Sequence, residues 1–301
     1  MPDSRALGAV GHAGDQAAPL QIGFIGAGRA ASTLARSLER AGHEVVVAGR
    51  GESAAALANA LDARLIGRAE VLATSDVTFL AVPDGAIRGL ASDLARTAVP
   101  GHGRLVAHLS GSQGRAVLRP LARRGYATAA IHPLQVLSGW RIAPGTTFGV
   151  EADDSAGAVA ARIVADLSGI LVELPAGGRA AYHAAAVIAA NLGMTMLAEA
   201  VDLLQKQGVS RTEALEGLAS LVRGGLEASI DRGLPGALTG PVTRGDAQTV
   251  AAHLEALEAD PELRRAYASA SLLTLRQGLR DGRPGSADAA AAIRRILEEA
   301  L

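Results

Sequence analysis

Residues 21–42, QIGFIGAGRAASTLARSLERAG, hold a strand, a turn and a helix in direct succession. The apolar run QIGFIG (21–26) reads as a buried strand, and the stretch 29–42 as an amphipathic helix closed by Gly42. Between them, Gly26-Ala27-Gly28-Arg29-Ala30-Ala31 fits the pattern G-x-G-x-x-A. Each position has a physical reason. Gly26 permits the tight turn, Gly28 lets backbone approach a pyrophosphate, and a small residue at Ala31 lets helix and strand pack closely. The helix N-terminus then offers free N–H groups to an anion.

Outward from this turn, short apolar runs alternate with helical stretches. HEVVVAG (43–49), SDVTFLAVP (75–83), GRLVAHLSG (103–111), YATAAIHP (126–133), TTFGVEAD (146–153) and GILVELP (169–175) read as strands. Helices are expected over 52–61, after Asp84, over 113–125 and over 155–167, while 64–66 is undecided between strand and loop. This alternation predicts an α/β fold: a Rossmann-type, doubly wound, mostly parallel sheet. From Arg179 onward only helical periodicity remains, broken at Gly208, at 233–246 and at 281–286. The expected organisation is a flexible tail over 1–19, a dinucleotide domain over 20–176 and an all-helical C-terminal domain over 177–301.

Composition narrows the function. The 301 residues are 49% hydrophobic and 20% charged, a globular profile, and the formal net charge of −1 offers no footprint for a polyanion. Aromatics are only 2%, which leaves few platforms for stacking bases, so a nucleic-acid binder is not expected. The absence of cysteine removes thiol nucleophiles and Cys-ligated metals, and the histidines show no metal-ligand spacing. Lys206 is the one lysine and sits near a helix end, as a solvated cation would. No uninterrupted apolar run of about 18 residues occurs and no leader pattern precedes the first strand, so a cytoplasmic protein without a membrane span is expected.

The second strand bears on which dinucleotide is bound. An NAD site places an acidic residue about 20 residues after the glycines, for the ribose hydroxyls. Here the strand ends in Ala48-Gly49-Arg50, followed by Ser53, and a guanidinium suits the 2′-phosphate of NADP. NADP(H) is therefore the expected cofactor. Val82, Pro83 and Asp84, at the end of the third clear strand, are expected beside it, although helix N-capping alone would also explain Asp84.

Ligands of doubly wound sheets bind outside the carboxyl ends of the strands. That rule brings Ser110 and Ser112 of LSGS and His132 of IHPLQ toward the place where nicotinamide and substrate meet. His132 is also readable as a core histidine. In YHAAAVIAAN (182–191), His183 shares an α-helical stripe with Val187, Ala190 and Met194, and Asn191 lies to its side roughly 12 Å along the axis. Both can line one cleft; an interior helix with a satisfied histidine is the alternative. In LTGPVTRGD (238–246), Thr243 or Asp246 caps the next helix, and Arg244 either binds a substrate carboxylate or pairs with Asp246.

Taken in order, GFIGAGRAASTLARSLERAGHEVVVAGR, FLAVPDGAI, HLSGS, IHPLQ, YHAAAVIAAN and LTGPVTRGD resemble the proteins that join a Rossmann-like domain to a DUF2520 domain. The resemblance covers residues 21 to about 280. It implies kinship with ketopantoate reductases, pyrroline-carboxylate reductases, β-hydroxyacid dehydrogenases and prephenate dehydrogenases. Ketopantoate reductases and β-hydroxyacid dehydrogenases use a lysine where this chain offers His183. Prephenate dehydrogenases use an HP histidine and a neighbouring serine, similar to His132-Pro133 and Ser110. The resulting expectation is an NADP(H)-dependent oxidoreductase moving a hydride to or from a small carboxylate-bearing 2-oxo or hydroxy acid, or an imine, and ketopantoate-reductase-like. The alternatives are prephenate-dehydrogenase-like oxidation and a non-catalytic NADP-binding sensor. A histidine titrating near about 6.5 suits proton delivery, with His132 the expected acid, His183 its competitor, and Ser110 and Asn191 orienting the carbonyl. By analogy with related reductases a homodimer is expected.

Overall fold

Strand β1 (Gln21–Ile25) lies at the centre of the sheet, paired in parallel with β2 (Glu44–Ala48) on one side and β4 (Val77–Leu80) on the other. The computed structural model describes residues 18–137 and 140–301, so the expected tail lies, through residue 17, outside the described residues. The short β3 (Arg64–Leu65) resolves the segment that the sequence leaves undecided. With β5 (Leu105–His108), β6 (Ala127–Pro133), β7 (Thr147–Ala152) and β8 (Ile170–Glu173), the sheet has eight strands in the order β3-β2-β1-β4-β5-β6-β7-β8. All neighbours are parallel except β6 and β7, whose antiparallel register sets His132 opposite Gly149.

The sheet is parallel because both of its faces are covered. All four residues of VTFL in β4 are buried, as parallel strands with helices on each side require. One face packs against α1 (Arg29–Arg40), α2 (Glu52–Ala60) and α6 (Gly157–Asp166), through Leu34, Leu38, Leu57 and Ile163. The other packs against α3 (Arg68–Thr74), α4 (Asp84–Thr97), a 3-10 turn (Arg115–Leu118) and α5 (Arg119–Ala122), through Val71, Leu72, Ile87, Leu118 and Leu121. The helix expected over 113–125 is thus two short pieces, since Pro120 and Gly125 interrupt it.

The chain divides into two compact units between Ile188 and Ala189. Strand character ends earlier, near 175–178. The division falls later because α7 (Arg179–Ala186) bonds back to the strand-end loops through Arg179 and Tyr182. A π-helical turn (Val187–Leu192) follows α7. It changes the residue count per turn, so the α-helical stripe drawn from His183 to Met194, and the spacing from His183 to Asn191, do not hold.

The second unit contains α8 (Gly193–Lys206), α9 (Arg211–Ala237), α10 (Pro241–Arg244), α11 (Ala247–Ala256), α12 (Pro261–Arg280) and α13 (Ala287–Glu298). Its core is Val242, Val250, Leu254, Ala268, Leu275, Ile293 and Leu297, all from α10 to α13. Lys206 ends α8 and lies 3.7 Å from Asp260. By length and composition the stretch Arg179–Lys206 is apolar enough to cross a membrane, with mean hydropathy 1.6 over 18 residues. His183, Asn191 and Thr195 interrupt its apolar series, so no unbroken run marks it in the sequence.

Candidate active site

The carboxyl ends of β1, β4, β5 and β6 share one edge of the sheet. Each carries polar or glycine residues. After β1, Gly26 adopts φ +111°, and a Cβ there would stand 2.3 Å from the carbonyl oxygen of Ala81. Gly26 is thus demanded by the protein's own packing. Gly28 is different: it is exposed at the N-cap of α1, with φ −73°, and a Cβ would meet nothing within 4 Å. Nothing among the described residues requires glycine at this position, which leaves room for a ligand's close approach. No side chain caps α1, so its first N–H groups are open to an anion. Ala31 is fully buried, as close helix–strand packing requires. Ala27 and Ala30 are half-buried and Arg29 is exposed at the start of the helix.

Beside this turn lies a cavity of about 500 Å³ lined by Gly26, Gly49, Arg50, Arg68, Val82 and Leu90, among others. Arg50 stands where the sequence places it; Arg68, at the start of α3, is a second guanidinium that sequence spacing alone did not single out. A pyridine dinucleotide fits these features: an open glycine, an uncapped helix start and two cations on an elongated cavity. Ser53 is exposed in the first turn of α2, and Pro83 is the N-cap residue of α4.

Asp84 does not cap its helix. It is the first residue of α4, and its Oδ2 accepts hydrogen bonds from Ser110 Oγ at 2.6 Å and Ser112 Oγ at 3.0 Å. Gln113 completes this knot, donating from Nε2 to the Asp84 carbonyl at 2.7 Å and from its backbone N–H to Ser110 Oγ at 3.0 Å. The proton of Ser110 is therefore committed to Asp84 and its oxygen to Gln113. Ser110 orders the loop after β5 rather than offering a free donor to a carbonyl. Buried His108 supports the same loop, accepting at Nδ1 from the Ser110 N–H and facing the Gly114 carbonyl through Nε2.

The contacts of His132 with Tyr182 bear on its tautomer. The Tyr182 hydroxyl donates to the His132 carbonyl oxygen at 3.1 Å, and His132 Nδ1 lies 3.1 Å from the same hydroxyl. A phenol has one proton, and when it goes to the carbonyl oxygen, Nδ1–H is the donor in the second bond. That leaves the lone pair on Nε2. Nε2 of His132 and Nδ1 of His183 converge over Gly111, where a Cβ would stand 2.9 and 2.4 Å from them. Nδ1 of His183 is buried without a hydrogen-bond partner. Glycine at 111 lets both rings settle on the loop, and Gly149 likewise leaves space for the Tyr182 ring.

Beneath these rings lies Arg179, 1% exposed. It donates to the carbonyl oxygens of Gln113, Gly149, Ala130 and Ser110. Burial, then the positive charge of Arg179, pushes His132 down from the ordinary 6.5 to about 4; His183 acts in the same sense and Asp84 opposes it. His108 is likewise lowered to about 4, chiefly by burial. His132 is thus held well below the ordinary imidazole range and is mostly neutral at pH 7.

Arg179, Tyr182, His108 and Gln113 are the residues that sequence reading missed. A signal existed: Arg179, Tyr182 and His183 stand at i, i+3 and i+4, one face of a helix. The remaining expected residues fall in the second unit. Asn191 is exposed within the π-helical turn. Arg244 is exposed and has no ion pair with Asp246 among the described residues; Asp246 caps α11 through the Thr249 N–H.

The depressed histidines have a consequence for stability. In the unfolded chain both titrate near 6.5, so between pH 6.5 and 4 the unfolded state binds protons that the folded state excludes. Stability is therefore full above about 6.5 and falls as pH descends toward 4, by at most on the order of 3 kcal/mol per histidine. Urea unfolding at pH 7 and pH 5 should show this loss, and His108→Gln should reduce the difference. Equal stability at the two pH values in the parent chain would contradict the electrostatics described.

Residues 8–133 match the Rossmann-like domain family, and residues 146–274 match DUF2520, a domain of unknown function. No curated protein matches the chain. Among solved structures, the "putative NADP oxidoreductase BF3122" of Bacteroides fragilis is 26% identical, with a TM-score of 0.69 over 86% of this chain and 98% of that one. A reductive aminase from Aspergillus terreus, in complex with NADPH and ethyl levulinate, is 22% identical, with a TM-score of 0.63 over 92% and 99%. A pyrroline-5-carboxylate reductase from Coxiella burnetii is 16% identical, with a TM-score of 0.59 over 87% and 98%. The latter two show the shared fold. The chain thus carries a Rossmann-like domain followed by a DUF2520 domain, and it shares the fold of an NADP oxidoreductase-like protein of Bacteroides fragilis.

Proposed function

We propose that this chain is an NADP-dependent reductase acting on the C=N bond of a small imine. The observation that carries this reading is His132, unprotonated at neutral pH with its Nε2 lone pair uncommitted. Carbonyl reduction requires a proton on oxygen as hydride arrives. A group titrating near 4 carries that proton in roughly one molecule per thousand at pH 7. An iminium carbon needs no such donor. Hydride adds to carbon, the π pair becomes the nitrogen lone pair, and a neutral amine results.

When bound, the dinucleotide supplies the hydride. The chain's own residues do the rest. His132 Nε2 accepts the iminium N–H and so fixes the orientation of the C=N bond. Asp84, with no ion pair among the described residues, supplies countercharge, while four carbonyl oxygens spread the charge of Arg179. The structural neighbours named for reductive amination and for pyrroline carboxylate support a C=N substrate. The ketopantoate-like 2-oxo acid is less well served by this site, because it needs the proton that His132 lacks.

NADPH oxidation should be fast with cyclic imines and at least tenfold slower with 2-oxo acids. The acid limb of kcat/KM should lie near 4, not 6.5. Equal or faster turnover of a 2-oxo acid, with an acid limb near 6.5, would refute the imine reading. For the cofactor site, Gly28→Ala should leave the melting temperature nearly unchanged while weakening NADPH binding at least tenfold. Gly26→Ala should lower stability by about 1–3 kcal/mol, because it sets a side chain at positive φ against Ala81. Tight NADPH binding by the Gly28 variant would remove the turn from the cofactor site.

The proposed assembly is a homodimer formed through α9. Leu226 and Ile230 are 61% and 84% exposed one turn apart on that helix before its break at Gly233, with Leu221 and Leu234 also exposed nearby in the sequence. A second copy presents the same face, which suits a two-fold interface. Light scattering should give twice the chain mass, and Ile230→Glu should give monomers. A monomeric parent chain, or one that partitions onto lipid vesicles, would count against the dimer.

A further inference from the structure

We infer that Arg179 is the positioning residue of this site, clamping the loops after β5 and β6 to α7 and holding His132 with its Nε2 free to accept. The inference rests on the proposed role of His132, but its test does not require turnover. Three observations support it.

The first is the distribution of its bonds. The acceptors of Arg179 among the described residues are all backbone carbonyls, drawn from the β5 loop (Ser110, Gln113), β6 (Ala130) and β7 (Gly149). A planar guanidinium can satisfy several strand ends at once from one buried point; an ammonium cannot span them. The second is its placement. Arg179 lies one helical turn before Tyr182 and His183, so whatever fixes Arg179 against the sheet also fixes the hydroxyl that holds His132 and the ring that faces it.

The third is its charge. No carboxylate lies within ion-pair distance of Arg179 among the described residues. Glu151, 6% exposed on β7, has an oxygen buried without a hydrogen-bond partner and acts on Arg179 only through its field. A cation compensated mainly by carbonyl dipoles opposes protonation of the imidazole nearby. The charged and titratable groups that act on His132 are Arg179, Tyr182 and His183 from α7 and Asp84 from the start of α4. Only Asp84 among them favours the imidazolium, so removing Arg179 should let His132 titrate higher.

The test is an NMR titration of the His132 ring in the parent chain, in Arg179→Met and in Arg179→Lys, with folding checked by circular dichroism. In the Met variant the His132 midpoint should rise toward the ordinary value without reaching it, because burial, the larger cause of its depression, remains. In the Lys variant, which keeps charge but not the fork, the midpoint should stay low. Amide exchange over residues 110–114 should speed at least tenfold in both. A folded Met variant whose His132 midpoint matches the parent's overturns the electrostatic part, and unchanged exchange in the Lys variant overturns the clamp.

If Arg179→Met does not fold, the double variant Arg179→Met/Glu151→Gln removes both buried charges together and carries the same readouts. Should that also fail to fold, the exchange and midpoint of Arg179→Lys decide. The imine reading can fail in the assay above while His132 still responds to Arg179, so the two are separable.

Discussion

The parallel pairing of β1 with β2 on one side and β4 on the other constrains everything else in the first unit. Right-handed crossovers lead outward in opposite directions from this central strand, and a crevice opens where they part. Parallel strands also put every carboxyl end on one edge. Gly26, Pro83, Ser110 and His132 therefore meet at that edge although more than a hundred residues separate the first from the last. The antiparallel β7 reverses the rule once. Its early residues, Phe148 and Gly149, stand opposite Pro133 and His132, which brings the Gly149 carbonyl within reach of Arg179.

That edge is polar, and its polar groups fall into two layers. Asp84, Ser110, Ser112 and Gln113 bond to one another and order the loop after β5. Arg179 bonds only to main chain and joins that loop to β6 and β7. A buried donor or acceptor without a partner costs about 1–3 kcal/mol, so groups that the fold satisfies are mainly structural. The unsatisfied ones single themselves out. Nε2 of His132 and Nδ1 of His183 converge over Gly111, and Nδ1 of His183 has no partner. The site is therefore defined less by the serines than by the nitrogens left over after the serines are bonded.

The strand–helix alternation and the glycine turn were legible in the sequence because local periodicity and turn chemistry report directly on backbone shape. Gly26, Ala31, Arg50 and the strand ends fell where the spacing placed them. Arg68 escaped notice because it reaches the cavity from α3, a helix that apolar periodicity over seven residues does not reveal. Arg179 escaped because, in a sequence with many arginines, only its shared helix face with Tyr182 and His183 marks it, and burial itself is not local. Asp84 was expected beside the cofactor with capping as the alternative, and its bonds to Ser110 and Ser112 were not foreseen, since the same residue type suits a cap and a hydroxyl acceptor equally. The titration of His132 was not legible at all: burial and a cation far along the chain set it, and neither is local.

The near-absence of lysine sharpens the chemistry. Reductases that this chain resembles take a lysine from the helical region, and an ammonium can both donate a proton and carry charge. Arginine does only the second, since its guanidinium does not release a proton in proteins. An arginine at the heart of a site therefore supplies field without proton transfer. Here the field falls to Arg179, and burial together with that cation holds His132 well below the ordinary imidazole range. A site in which His132 accepts a hydrogen bond rather than donating one favours a reaction in which the hydride acceptor already carries its proton. That condition is met by an iminium ion and not by a ketone.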